Sequence, residues 1–118
     1  MNKKLNKKTG QLGEDLTADY IINLGYKILA RNLILTVGEI DILAEDHGTI
    51  VIIEVKTVRG EGFGEAVELV RYKKQKKLKL LANALTQRYP NKTIRIDVSS
   101  VFLGSTPRID YFENAVYD

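Results

Sequence analysis

Two short runs constrain this chain more than anything else in it: Gly38-Glu39-Ile40-Asp41-Ile42 and Ile53-Glu54-Val55-Lys56. Both set charged side chains into segments rich in Ile, Val and Leu, which read as strands over Glu39 to Glu45 and Thr49 to Lys56. Between them lies Asp46-His47-Gly48-Thr49. A two-residue connection, His47-Gly48, predicts a tight antiparallel hairpin with Gly48 at positive φ; His is less usual than Asn at such a turn but tolerates the conformation better than most residues. This register sets Glu45 opposite Ile50, Leu43 opposite Ile52, and Asp41 opposite Glu54. Side chains two apart share a face, so Glu39, Asp41, Glu54 and Lys56 project from one side.

That arrangement is costly unless something offsets it. Two carboxylates about 4 Å apart repel by roughly 4 kcal/mol at an effective dielectric of 20, and opposed like charges destabilise a sheet. Protonating one acid, pairing both with cations, or binding a metal each relieves the repulsion. A divalent cation is the leading candidate, and oxygen-only donors suit Mg²⁺ or Mn²⁺. The bland alternative is a structural ion-pair cluster of Asp41, Glu54 and Lys56.

At 118 residues, the chain is expected to form a single domain over residues 9–118, preceded by a basic, flexible segment over 1–8. Its 44% hydrophobic and 28% charged content is that of a soluble globular protein. The absence of cysteine excludes disulfides, zinc fingers and thiol catalysis, and fits a reducing cytoplasm. No apolar run approaches about 18 residues, so neither a membrane span nor a secretory leader is expected. The single histidine, His47, falls in the predicted turn, which leaves the familiar triads without a base. No glycine-rich motif matches a phosphate-cradling loop. Chemistry in this chain therefore rests on carboxylates, lysine and metal.

The formal net charge is +3, and its distribution says more than its size. Arg71, Lys73, Lys74, Lys76, Lys77 and Lys79 crowd one segment, and Lys3, Lys4, Lys7 and Lys8 another. Such clusters fit a polyanion partner, although a solvated helix face and a frayed terminus have the same composition.

The element order reads α-β-β-β-α-β-β, an α/β fold with a central mixed sheet flanked by helices. A first helix spans Thr9 to Leu24 and stops at Gly25; Ala18, Ile21, Ile22 and Leu24 form its apolar arc, with Glu14 at helical spacing inside it. Tyr26 to Val37 reads as one or two strands, broken near Asn32. After the hairpin, Arg59-Gly60-Glu61-Gly62-Phe63-Gly64 reads as a loop, and a long helix runs from about Glu65 to Tyr89, ending at Pro90. Its stripe of Val67, Val70, Leu78, Leu81 and Leu85 includes Lys74, which points towards the sheet or snorkels beside it. Strands near Thr93–Leu103 and Arg108–Phe112 follow, joined by a turn at Gly104-Ser105-Thr106-Pro107.

With these residues in place, the chain resembles the YraN family, a bacterial group within the restriction-endonuclease-like nuclease superfamily, related to Holliday-junction resolvases. The resemblance covers nearly the whole chain. It rests on Gly13-Glu14, Asn32, the two central motifs, Phe63-Gly64, Val70, Lys74-Gln75, Leu78 and Arg95-Ile96-Asp97-Val98. It implies a restriction-endonuclease-like fold and a deoxyribonuclease, endo- or exonucleolytic, dependent on Mg²⁺ or Mn²⁺ and acting on DNA, including branched or repair intermediates. It further implies that Asp41, Glu54 and the Val55 carbonyl ligate the metal, that Glu14 reaches the same site directly or through water, and that Lys56 orients the attacking water. Lys73, Lys74, Gln75 and Lys77 would contact the nucleic acid. Junction-cutting relatives work as dimers, so a homodimer is among the implied states. The chain departs from the family at Val58, where an Arg is common, so no phosphate contact carries over there; Asp97 is expected to make a structural salt link with a neighbouring strand. A nucleic-acid-binding module with an idle site, and a scaffold with this inherited fold, are the competing readings.

Overall fold

The computed structural model describes the backbone of residues 3–59 and 75–115, and the side chains of 8–58 and 76–115. Helix α1 (Lys3–Asn23) is followed by strands β1 (Lys27–Leu35), β2 (Gly38–Asp46) and β3 (Thr49–Arg59), helix α2 (Gln75–Arg88), and strands β4 (Ile94–Leu103) and β5 (Arg108–Phe112). The order and the mixed sheet are those expected. The strands lie in the order β1-β2-β3-β4-β5, with β3 and β4 parallel and every other pair antiparallel. A parallel pair needs a long crossover, and α2 lies within it. Arg59, expected to open the loop Arg59–Gly64, is instead the last residue of β3, paired with Leu103; the rest of that loop, the first part of the expected long helix (65–74) and Lys74 with it fall outside the described residues. No helix among the described residues is long and apolar enough to cross a membrane.

The two faces of the sheet carry separate cores. On one, Ile40, Leu43, Ile50, Ile52, Ile96 and Val98 pack with Leu78, Leu81 and Leu85 of α2. On the other, Ile42, Ala44, Val51 and Ile53 pack with Ala18 and Ile21 of α1 and with Tyr26. The central strand β3 is therefore apolar on both faces, with Ile50, Val51, Ile52 and Ile53 each at 1% exposure or less. Burying one such side chain stabilises the fold by about 1.5–3 kcal/mol. The apolar arc of α1 is narrower than expected: Ala18 and Ile21 face the sheet, whereas Ile22 and Leu24 are about half exposed. The helix also begins at Lys3, upstream of the expected start at Thr9.

The hairpin forms as the spacing predicts. His47 and Gly48 both take positive φ, 49° and 92°, the signature of a type I′ turn whose twist matches that of the flanking strands. Glu45 pairs with Ile50 and Leu43 with Ile52. Beside the turn, Asp46 accepts a 2.7 Å hydrogen bond from His47 Nδ1, and one of 3.1 Å from Arg95 Nη1. The His47 bond, opposed by partial desolvation and joined by Arg95, holds the Asp46 carboxyl below its ordinary value. A folded-state pKa below the unfolded one stabilises the fold at neutral pH, and the gain is lost as pH falls through the depressed value. Asp46→Asn is thus expected to lower stability in urea melts well above pH 3.8, and to match the unaltered protein in strong acid.

Helix α1 approaches β3 closely through Gly13. A Cβ added there would overlap Thr57 Oγ1 and stand 3.2 Å from Thr57 Cβ. Gly13→Ala is expected to destabilise the fold by about 1–3 kcal/mol, the usual cost of overpacking. Thr57→Ala in the same chain should restore most of the loss, which thermal melts of both variants would read.

Candidate active site

The ladder between β2 and β3 ends at Ile42↔Ile53, one pair short of Asp41 and Glu54. Beyond that point the backbone N–H of Val55 donates to Asp41 Oδ2 at 2.9 Å. A side chain thus supplies the partner that a continuing ladder would have supplied, satisfying a backbone donor that otherwise carries a desolvation cost. The alternation of β2 slips at the same place. Ile42 and Ala44 face α1, Leu43 faces α2, and Ile40 packs on the α2 side as well. The pairing of β1 is irregular too, with a bulge between Ile28 and Ala30 and a positive φ of 51° at Asn32.

A cavity of about 240 Å³ is lined by Glu39, Asp41 and Glu54 from the sheet and by Lys77, Leu78 and Leu81 from α2. Glu54 is buried at 7% exposure, Asp41 is partly buried and Glu39 is exposed. Asp41 and Glu54 therefore share one side of the sheet, as the hairpin pattern requires. The strand pairing that was to bring them together is absent; convergence on the cavity does so instead. Lys77 runs along the start of β2, its Cε 2.8 Å from the point where a Cβ on Gly38 would stand. Lys56 lies exposed on β3, one alternation beyond Glu54. Lys73 and Lys74 are outside the described residues, as is the side chain of Gln75.

Glu14 approaches the other acids from α1 without lining the cavity, sharing the Asn32 amide with Glu39. It sits on α1, in the opposite layer from α2, and is not among the residues lining the cavity. Its carboxylate lies 3.9 Å from Arg31 Nη2, which pairs more tightly with Asp15 at 2.6 Å. Burial pushes the Glu14 carboxyl above its ordinary value; Arg31 and the Asn32 amide oppose the shift, and Glu39 and Asp15 add to it. Glu39 is the cavity acid that sequence reasoning placed on the correct face but left out of the site. The signal was available in the two-residue spacing from Asp41.

Carboxylate oxygens at this cavity fit a hard divalent cation. Among the described residues, no group of three or more Asp, Glu, His or Cys is gathered tightly enough to hold a metal ion. A metal taken up here would rest on one or two protein carboxylates, with water or phosphate oxygens completing the shell. That is the usual manner of Mg²⁺.

A second polar cluster lies on the α1 face, where Asp97 is fully buried. It accepts hydrogen bonds from Arg95 Nε at 2.9 Å, Arg95 Nη2 at 3.1 Å, Tyr111 Oη at 2.6 Å and the Asn114 N–H at 2.8 Å. Arg95 also donates to Tyr26 Oη at 2.8 Å. Burial, with the Glu113 hydrogen bond, pushes the Tyr26 phenol up to about 12; burial and the adjacent Asp97 raise Tyr111 further. Asp97 makes a salt link, but to Arg95 of its own strand β4 and not to the neighbouring strand expected; the Tyr111 hydroxyl and the Asn114 N–H supply the contacts from β5 and beyond.

Known proteins supply a comparison. A UPF0102 protein of Thermodesulfovibrio yellowstonii is 42% identical over 112 residues, covering 92% of this chain and 95% of its own. One from Dictyoglomus turgidum is 36% identical over 115 residues, covering 93% and 98%. Among solved structures, the chain is similar to EndoMS in complex with double-stranded DNA, with a TM-score of 0.39 and 24% identity over 60% of this chain and 26% of that one. It is also similar to Pyrococcus furiosus SfsA in complex with Ca²⁺, with a TM-score of 0.37 and 17% identity over 96% and 65%. Structural likenesses of this size say nothing about activity. The model of the uncharacterised protein family UPF0102 matches residues 13–101, and the chain belongs to that family.

Proposed function

We propose that this protein is a divalent-metal-dependent nuclease that hydrolyses phosphodiester bonds in DNA at the cavity between β2, β3 and α2. The observation that carries this reading is the meeting of Glu39, Asp41 and Glu54 with Lys77 around one cavity, at the place where the β2–β3 ladder stops. A site that binds a cation and a phosphate accounts for both the acids and the lysine.

Asp41 and Glu54 would hold Mg²⁺ or Mn²⁺, with the Val55 carbonyl as the backbone donor that the family resemblance implies. A bound ion of this kind lowers the pKa of its water and polarises the phosphoryl oxygen. Lys77 sets a positive charge against the phosphate at the cavity wall. Lys56, on the same face as Glu54, orients the attacking water and stabilises charge on the phosphoryl oxygens. Leu78 and Leu81 line part of the wall with apolar surface, which lowers the local dielectric and strengthens each of these interactions. The family resemblance implies that Lys73, Lys74 and Gln75 would contact the nucleic acid, the two lysines through its phosphates.

Incubation with labelled duplex, single-stranded and branched DNA and with RNA, in Mg²⁺ or Mn²⁺, tests the reading. Metal-dependent cleavage of DNA is the expected result. Salt-sensitive binding without cleavage in either metal would make the protein a binding module, and no binding at all would leave a scaffold role.

A further inference from the structure

Asn32 stands mid-strand in β1 with φ at 51°, between the Arg31↔Ile42 and Leu33↔Ile40 pairs. Most L residues avoid that conformation, whereas Asn tolerates it. With its amide oriented to match its neighbours, Asn32 Nδ2 donates to Glu39 Oε1 at 3.2 Å and to Glu14 Oε1 at 3.1 Å. One of these carboxylates lines the cavity and the other belongs to α1. The –NH₂ of an Asn offers two donors, so one side chain serves both acids. Gly would suit the backbone but has no amide, and Asp would suit it while adding a third carboxylate. Asn meets both demands.

We propose that Asn32 is a positioning residue that ties Glu14 of α1 to Glu39 and so holds the Glu39 carboxylate at the cavity. Glu14 then acts on the site through Asn32 rather than from within it. This role deepens the nuclease reading and rests on it for its purpose; the tie itself concerns three side chains and has its own readout.

Three variants of the full chain, Asn32→Gly, Glu14→Ala and Glu39→Ala, together with the Asn32→Gly/Glu14→Ala double variant, provide the test. In ¹⁵N NMR spectra without metal, the Asn32 side-chain amide signal is expected to move on replacement of either glutamate. Asn32→Gly keeps the backbone conformation and removes the tie. It is expected to melt within a few degrees of the unaltered protein, yet to bind Mn²⁺ roughly tenfold more weakly and to cut DNA roughly tenfold more slowly, because Glu39 lines the same cavity as Asp41 and Glu54 and its displaced carboxylate no longer supports the cation they would hold. Glu14→Ala should add nothing further in the Asn32→Gly background. An amide signal indifferent to either glutamate, fully additive effects, or Asn32→Gly with unaltered Mn²⁺ affinity and cleavage would each overturn the proposal. If the unaltered protein binds no Mn²⁺ and cuts no nucleic acid, the nuclease reading fails, and the amide signal still decides whether the tie exists.

Discussion

Replacing Asp97 by alanine is expected to remove about 3–5 kcal/mol of folding stability, the usual result of stripping one partner from a buried ion pair. Asp97 has no exposed surface, and its carboxylate gathers Arg95, the Tyr111 hydroxyl and the Asn114 N–H. Without it the largely buried Arg95 keeps its Asp46 contact but loses its closest carboxylate, and the Tyr111 hydroxyl and Asn114 N–H lose the acceptor they share. Native domains have only about 5–15 kcal/mol in total, so the variant is brought close to unfolding. Its melting temperature should fall by more than about 10 °C. A paired replacement, Arg95→Met with Asp97→Leu, is expected to lose less than the sum of the single losses, because it removes the stranded charge along with its partner. Urea denaturation of the single and double variants measures this. A loss under about 1 kcal/mol for Asp97→Ala would show that the cluster contributes little to stability.

The second large effect concerns the cavity. Asp41→Asn and Glu54→Gln keep the size of each side chain and remove its charge. Each is expected to reduce metal-dependent cleavage by on the order of a thousandfold or more, since a bound metal supplies several kcal/mol of charge stabilisation and each 1.36 kcal/mol is a factor of ten. Stability should change far less, because each replacement keeps the size and shape of the side chain it replaces and the cavity lining stays filled. Asp41→Asn tests this cleanly, because the Asn carbonyl still accepts the Val55 N–H bond that Asp41 now holds. Cleavage rates that survive both changes would put the activity elsewhere on the protein or in a contaminant. Intact binding of Mn²⁺ by both variants would detach the metal from these residues.

The two results together separate a part of the molecule built for stability from a part built around a cavity. The Arg95–Asp97 cluster satisfies its buried groups completely on the α1 face. The cavity on the α2 face concentrates like charge where the sheet has lost a rung. Both lie within reach of the same central strands, and the different outcomes expected of their variants, lost folding in one and lost cleavage in the other, follow from what each carboxylate faces.

The linear chain was sufficient for everything that depends on short-range periodicity. Alternation in Glu39–Glu45 and Thr49–Lys56 defined two strands, and His47-Gly48 defined the turn and hence the register Glu45↔Ile50 and Leu43↔Ile52. The buried spacing of Leu78, Leu81 and Leu85 was legible in the same way. From that register alone, Asp41 and Glu54 belong on one side of the sheet. Only the tertiary structure decided that the ladder stops before those two residues and that Asp41 caps the Val55 N–H. It also decided that Glu39 and Lys77 complete the wall, and that Glu14 stays in the other layer behind Asn32. Asp97 makes the same point: its pairing with Arg95 lies two residues away in the chain, but Tyr26, Asp46 and Tyr111 reach that cluster only when distant strands pack together. The physical reason is the same throughout. Side-chain period is a local property of the backbone and is written in neighbouring residues. Where a strand splays, and which distant polar group answers a buried one, depends on how the whole sheet packs against its helices.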